Sequence, residues 1–123
     1  MSAPNIVNVS TITAKSSGVS LSGTGATLVV SNAASSSTVL KINVINVANT
    51  TGNACPVSVG LYSLAGLGGT TYPIVSSVSI PGNSTLTVVD KGTCYYVEEN
   101  QSIGAIAGIG GALVVTTSYE IIG

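Results

Sequence analysis

Apolar and polar residues alternate along this chain in short runs, and small polar or glycine-rich clusters interrupt them every 8–12 residues or so, roughly the spacing of an all-β domain. Val57, Val59 and Leu61 alternate with Ser58, Gly60 and Tyr62, which is the period of a half-buried strand. In the last run, Ala112 to Ile122, Leu113, Val115, Thr117, Tyr119 and Ile121 alternate with Val114, Thr116, Ser118 and Glu120. The pattern predicts further strands over Ile6–Thr13, Val19–Ser22, Ala26–Ser31, Val39–Ala48, Tyr72–Val75, Val78–Ile80, Ser84–Val89 and Thr93–Val97. Val39–Ala48 is apolar on both sides of the period, as expected of a central strand that is covered twice or touches a neighbouring subunit. No window holds the three-four spacing of an amphipathic helix.

Turns are expected at Lys15-Ser16-Ser17-Gly18, at Pro81-Gly82-Asn83 and at Asp90-Lys91-Gly92. Gly23-Thr24-Gly25 reads as a tight hairpin, and Ala65–Thr70 as a glycine-rich hairpin loop. Ile103 to Val115 reads as a glycine-punctuated loop leading into the last strand, too short and too rich in glycine to cross a membrane as a helix. The expected fold is therefore all-β, a single jelly-roll-like antiparallel β-sandwich spanning residues 1–123, with residues 1–12 as an extended N-terminal arm. Met1 to Asn5 carries no basic region followed by an apolar core, so no secretory signal is expected, and with no run of about 18 apolar residues no membrane partner is expected either.

Composition narrows the chemistry. Of 123 residues only 6% are charged, with three lysines against four acids, and there is no histidine and no arginine. Histidine-based triads and metal sites cannot be built, nor can arginine clamps for phosphate. The cations are too few for a nucleic-acid stripe, so no nucleic-acid partner is expected. Glu98 and Glu99 are adjacent and point to opposite faces of a strand end, which does not suit a paired-carboxylate hydrolase. Asp90, Glu98, Glu99 and Asn100 lack any calcium-loop spacing and read as solvated turns. The glycine clusters are not followed by Lys-Ser/Thr and do not open a helix, so they read as turns and not phosphate loops. No cofactor and no enzymatic activity are expected.

Cys55, ahead of Pro56 in a loop, and Cys94, in an apolar run where a buried thiol is the default, are too far apart for a redox or metal motif. Spacing leaves open whether they pair. The five tyrosines are the only aromatic residues. Tyr95 and Tyr96 should face opposite sides of one strand, one in the core and one outward. Outward tyrosines, with Tyr62 and Tyr96 as candidates, would cap the sandwich, stack on a glycan or meet a protein.

The run Val78-Ser79-Ile80-Pro81-Gly82-Asn83-Ser84-Thr85-Leu86-Thr87-Val88-Val89-Asp90-Lys91, followed by Tyr95-Tyr96-Val97-Glu98-Glu99-Asn100-Gln101-Ser102-Ile103, resembles small virion proteins of tailed, cyanophage-like phages. The opening Ile6-Val7-Asn8-Val9 and the closing Ser118-Tyr119-Glu120-Ile121-Ile122 share the resemblance. It implies a non-enzymatic building block of a phage particle and leaves open which part, capsid decoration, neck, or tail and fibre; a capsid decoration or cement protein bound to the major capsid protein is the first expectation. A tail, neck or fibre component, with glycan or receptor binding, is the alternative.

An apolar domain with so little charge also suits assembly independently, because self-association buries patches that would otherwise promote aggregation. A homo-oligomer is expected, a trimer ahead of other closed forms. The expected contact surface comprises Ile6, Val9 and Ile12 of the arm, which could add a strand to a neighbour, and the outward faces of two strands through Ile45, Val47, Val114 and Ile122.

Overall fold

A computed structural model describes residues 11–123. These described residues form nine strands: β1 (Ile12–Leu21), β2 (Thr27–Asn32), β3 (Val39–Asn49), β4 (Cys55–Leu64), β5 (Gly68–Ile80), β6 (Thr85–Val89), β7 (Tyr95–Val97), β8 (Gln101–Ala107) and β9 (Leu113–Ile122). One sheet runs β1-β9-β3-β6, with β7 also on β3, and the other runs β2-β8-β4-β5, every pairing antiparallel. Leaving aside the three-residue β7, the remaining strands follow the jelly-roll order, in which successive strands mostly switch sheets.

The two inner faces share one aliphatic core. Leu40, Ile42, Ile45, Val47, Leu113 and Val115 of the first sheet meet Val30, Val57, Val59, Ile103, Ala105 and Ala107 of the second. β-Branched and small side chains suit two pleated faces packed about 10 Å apart. Two buried asparagines tie the sheets together at their corners. Asn32, ending β2, donates to Val97 O (3.1 Å) and Thr38 O (2.9 Å). Asn49, ending β3, donates to Ile80 O (3.0 Å) and Asn53 O (2.7 Å). Each spans from one sheet to a strand of the other or to its adjoining loop, so the buried amides are satisfied while locking the crossovers.

The expected Pro81-Gly82-Asn83 turn is present as the β5–β6 crossover, with Asn83 N donating to Thr51 O (2.8 Å). A Cβ added to Gly82 would fall on the Gly52 carbonyl, which is backbone and cannot move aside. Gly82→Ala is expected to destabilise the domain by roughly 1–3 kcal/mol of overpacking strain, read as a lowered thermal midpoint. Asp90 closes its expected turn with a capping box, its Oδ1 accepting from Gly92 N (2.9 Å) and Thr93 N (3.1 Å).

Several expectations are corrected. Lys15-Ser16-Ser17-Gly18 is not a turn but the middle of β1. Gly23-Thr24-Gly25 does not close a hairpin, since β1 and β2 belong to different sheets. Tyr72–Val75 and Val78–Ile80 are one strand, interrupted by a register shift near Ser77, which has φ 51°. Ile103–Ala107 is not loop but part of β8, the strand flanked by β2 and β4. Cys55 is not in a loop: it opens β4 and is fully buried.

Candidate assembly interface

Two features of the surface could bind another molecule by contact alone. The first is the edge of β1, which has no strand partner on its outer side among the described residues and pairs with β9 over ten residues without a register shift. Thr11 O accepts from Gly123 N (3.1 Å), and Leu21 O accepts from Gly111 N (2.8 Å). Backbone direction alternates along an unbroken strand, so the odd positions bond β9. The even positions Ile12, Ala14, Ser16 and Gly18 turn their N–H and C=O groups to the open edge, whereas Ser20 O accepts from Ser22 N (3.1 Å). This edge has no proline and no bulge, and Lys15 is its one charge. The opposite edge of the other sheet, β5, carries Pro73 and several register shifts, the devices that discourage edge pairing.

The second feature is the outer face of the β2-β8-β4-β5 sheet. Leu28, Gly104, Gly60 and Pro73 lie in one row across it, and Ile106 sits beside Ser58 on β4. Leu28 and Ile106 are both exposed. The β4–β5 turn folds back over this face and is held by three successive backbone donors. Ala65 N donates to Asn100 Oδ1 (3.2 Å), Gly66 N to Ser31 Oγ (3.2 Å) and Leu67 N to Ser102 Oγ (3.0 Å). Leu67 and Tyr62 consequently lie over Gly104, where an added Cβ would come within 2.5 Å of Leu67 Cδ2 and 3.0 Å of Tyr62 Cε1. Glycine at this position lets the turn lie flat.

The predicted contact residues separate under this geometry. Ile6 and Val9 lie outside the described residues. Ile12 is 58% exposed at the start of the β1 edge. Val114 is half-buried on the outer face of β9. Ile45 and Val47 are corrected: both are 0% exposed, in the core. A register shift between Ile42 and Val44 changes the phase of β3, so the outward residues beyond it are Val44, Asn46 and Ala48. Ile122 is also corrected, because it is buried beside Val39 in the register. Tyr62, expected outward, is only 8% exposed because the folded-back turn packs over it.

Tyr96 is outward as expected, at 41%, next to Lys41 in the register. Tyr95 is also exposed and not core, since β7 is a three-residue edge segment. Cys55 and Cys94 are unpaired, and Cys94 is half-exposed and not buried. Asp90, Glu98, Glu99 and Asn100 do not gather. Asp90 Oδ1 caps its own turn, Asn100 Oδ1 accepts from Ala65 N, and Glu99 is buried with Oε2 accepting from Ser37 N (2.9 Å). That β1 ends its sheet among the described residues was not legible, because no local signal says which strand ends a sheet.

No family model and no curated protein matches the sequence. The fold is similar to that of a chain in a solved structure described as "Bacillus endospore appendages form a novel family of disulfide-linked pili". The TM-score is 0.52 at 16% identity, over 99% of this chain and 95% of that one. At this identity the likeness concerns the fold.

Proposed function

We propose that this chain is a non-enzymatic structural subunit that assembles with copies of itself into an extracellular or particle-surface array. The observation that carries the reading is the long β1 edge, open among the described residues and free of proline and bulge, a template for adding a strand from a neighbour. The exposed Leu28 and Ile106 face supplies apolar contact area, at roughly 25 cal/mol per Å² removed from water. The similarity in fold to an appendage subunit supports the same reading. Sedimentation of the full chain tests it. Concentration-dependent oligomers or filaments are expected, and a monomer at every concentration that binds no particle overturns it.

Cysteine placement specifies how such an array holds together. A fibre cross-linked from subunit to subunit needs two available thiols per copy, one for each neighbour. Only Cys94 is accessible in this chain, because Cys55 is enclosed in the core. Disulfides can therefore join at most pairs, and the array is non-covalent beyond that. After mild oxidation, electrophoresis in detergent without reductant should give monomer and dimer, and Cys94→Ser should give monomer alone. A ladder above dimer would contradict this.

A second reading, decoration of a phage head or a tail component, is favoured by the resemblance over Val78–Lys91 and Tyr95–Ile103. These segments form the end of β5, β6 and its turn, β7 and the start of β8. Density for this sandwich on the head shell of a reconstructed particle, against the major capsid protein, would select that reading over a free-standing filament.

A further inference from the structure

Among the described residues, the first sheet ends in β1 and, across β3, in β6 and β7, while the second ends in β2 and β5. These edges are unequal as hydrogen-bonding templates. β6 is five residues long and β7 three. β2 is six residues long, with a register shift between Leu28 and Val30. β5 carries Pro73, three register shifts against β4, and Ser77 at φ 51°. β1 alone offers a regular edge over ten residues. Extending a sheet takes two edges of matching length and regularity, because each interrupted position loses its ladder bonds. Of the edges described, the one that matches β1 is β1 of a second copy.

We infer, resting on the assembly reading, that β1 pairs antiparallel with β1 of a second copy about a twofold axis at Ser16, joining the two first sheets into one. Edge-facing residues exchange hydrogen bonds only when they lie opposite each other, so even positions pair with even positions. With the axis at Ser16, Ser16 meets its own copy and Ala14 meets Gly18 in both directions. These three facing pairs, at two bonds each, give about six hydrogen bonds. Ile12 then meets Ser20, although the Ser20 C=O is already taken by Ser22 N (3.1 Å).

Other registers are poorer. An axis at Lys15 sets two like charges directly opposite each other, which is destabilising. At Ser16 each Lys15 faces Ser17 instead, and the two lysine positions lie on a diagonal about 7–8 Å apart. An axis at Ser17 leaves Ile12 facing Ser22, beyond the end of the strand, and an axis at Ala14 shortens the overlap of the described strands to residues 12–16. The side chains at the seam are Ala14, Ser16 and Gly18, all small and exposed, so nothing bulky obstructs the approach. Ile12 to Gly18 are exposed on both faces of the strand, which leaves the β9 ladder as the main restraint on this half of β1 and lets a second ladder add to it. A twofold contact closes at a pair. An array longer than a pair needs a second contact, for which the exposed Leu28 and Ile106 of the other sheet are placed.

The test is cysteine cross-linking of the full chain carrying Cys94→Ser, because Cys94 is the accessible native thiol and Cys55 is buried. Ala14→Cys, Ser16→Cys and Gly18→Cys each add one thiol to the edge, and a Cβ at Gly18 meets nothing closer than 3.7 Å. On the axis, Ser16→Cys brings two Cα atoms to about 5.5 Å, within disulfide reach. Oxidation with diamide should convert it to covalent dimer. Ala14→Cys and Gly18→Cys each lie four residues from their own copy, about 13 Å along the strand, and should give at least about tenfold less dimer. An equimolar mixture of these two variants should give the mixed dimer. Any other pattern, including equal cross-linking by all three or by none, overturns the twofold β1 pairing. Where sedimentation still shows association, the assembly reading then stands with a different contact. A chain that stays monomeric in sedimentation removes both.

Discussion

A Ser16→Pro chain is expected to fold normally and to lose self-association, whereas Ser17→Pro should lose stability. The two positions are neighbours on β1 and are both exposed, so composition and burial predict the same outcome for each. Backbone direction separates them. Thr11 and Leu21 aim their carbonyls at the β9 side, which places Ser17 among the residues bonding β9 and Ser16 among those facing the open edge. Proline at Ser16 removes an N–H that makes no bond within the sandwich, and its ring obstructs an incoming strand. Each edge hydrogen bond contributes about 1 kcal/mol, so losing one and blocking the approach should weaken association by at least about tenfold. Proline at Ser17 breaks the β1–β9 ladder itself. Sedimentation and thermal melts of the two variants provide the check. Equal association by wild type and Ser16→Pro would place the contact elsewhere.

The second large effect separates core from contact surface. Ile45→Ala should cost roughly 2–5 kcal/mol of stability, because its side chain is wholly enclosed and leaves a cavity. Association per folded molecule should not change. Ile106→Ser alters an exposed side chain on the outer face of the other sheet, where substitutions usually shift stability by about 0.5 kcal/mol or less. Its effect should appear in association instead. Denaturant melts paired with sedimentation at fixed folded concentration measure both quantities. A stable Ile45→Ala chain that fails to assemble would return Ile45 to the interface.

Ile45 also shows why a one-dimensional pattern misleads. Counting by twos from Leu40 and Ile42 puts Val44 inward and Ile45 and Val47 outward. A single extra residue between Ile42 and Val44 reverses the phase, and both isoleucine and valine turn into the core. The bulge is set by pairing with β9, which is far away in sequence. β8 was hidden for a related reason. Gly104 and the alanines 105 and 107 dilute its β pattern, yet only glycine fits at 104 beneath Tyr62 and Leu67, and both alanines face the core between the sheets. The candidate surface was legible only in part. Ile12 and Tyr96 are exposed, while Tyr62 is covered by a turn whose three anchors, Asn100, Ser31 and Ser102, come from two other strands and a loop.

By itself, the order of residues determined that this chain is β throughout, that alternating Val, Leu and Ile would face an aliphatic core, and where turns such as Pro81-Gly82-Asn83 and Asp90-Lys91-Gly92 interrupt it. Those properties are local, set by side-chain period and backbone torsion preference. Tertiary structure alone decided which strands share a sheet, which edge is left open and which apolar residues remain outside. Each of these depends on pairing between residues distant in sequence, where many partners satisfy the local pattern equally and only closure of the common core selects among them.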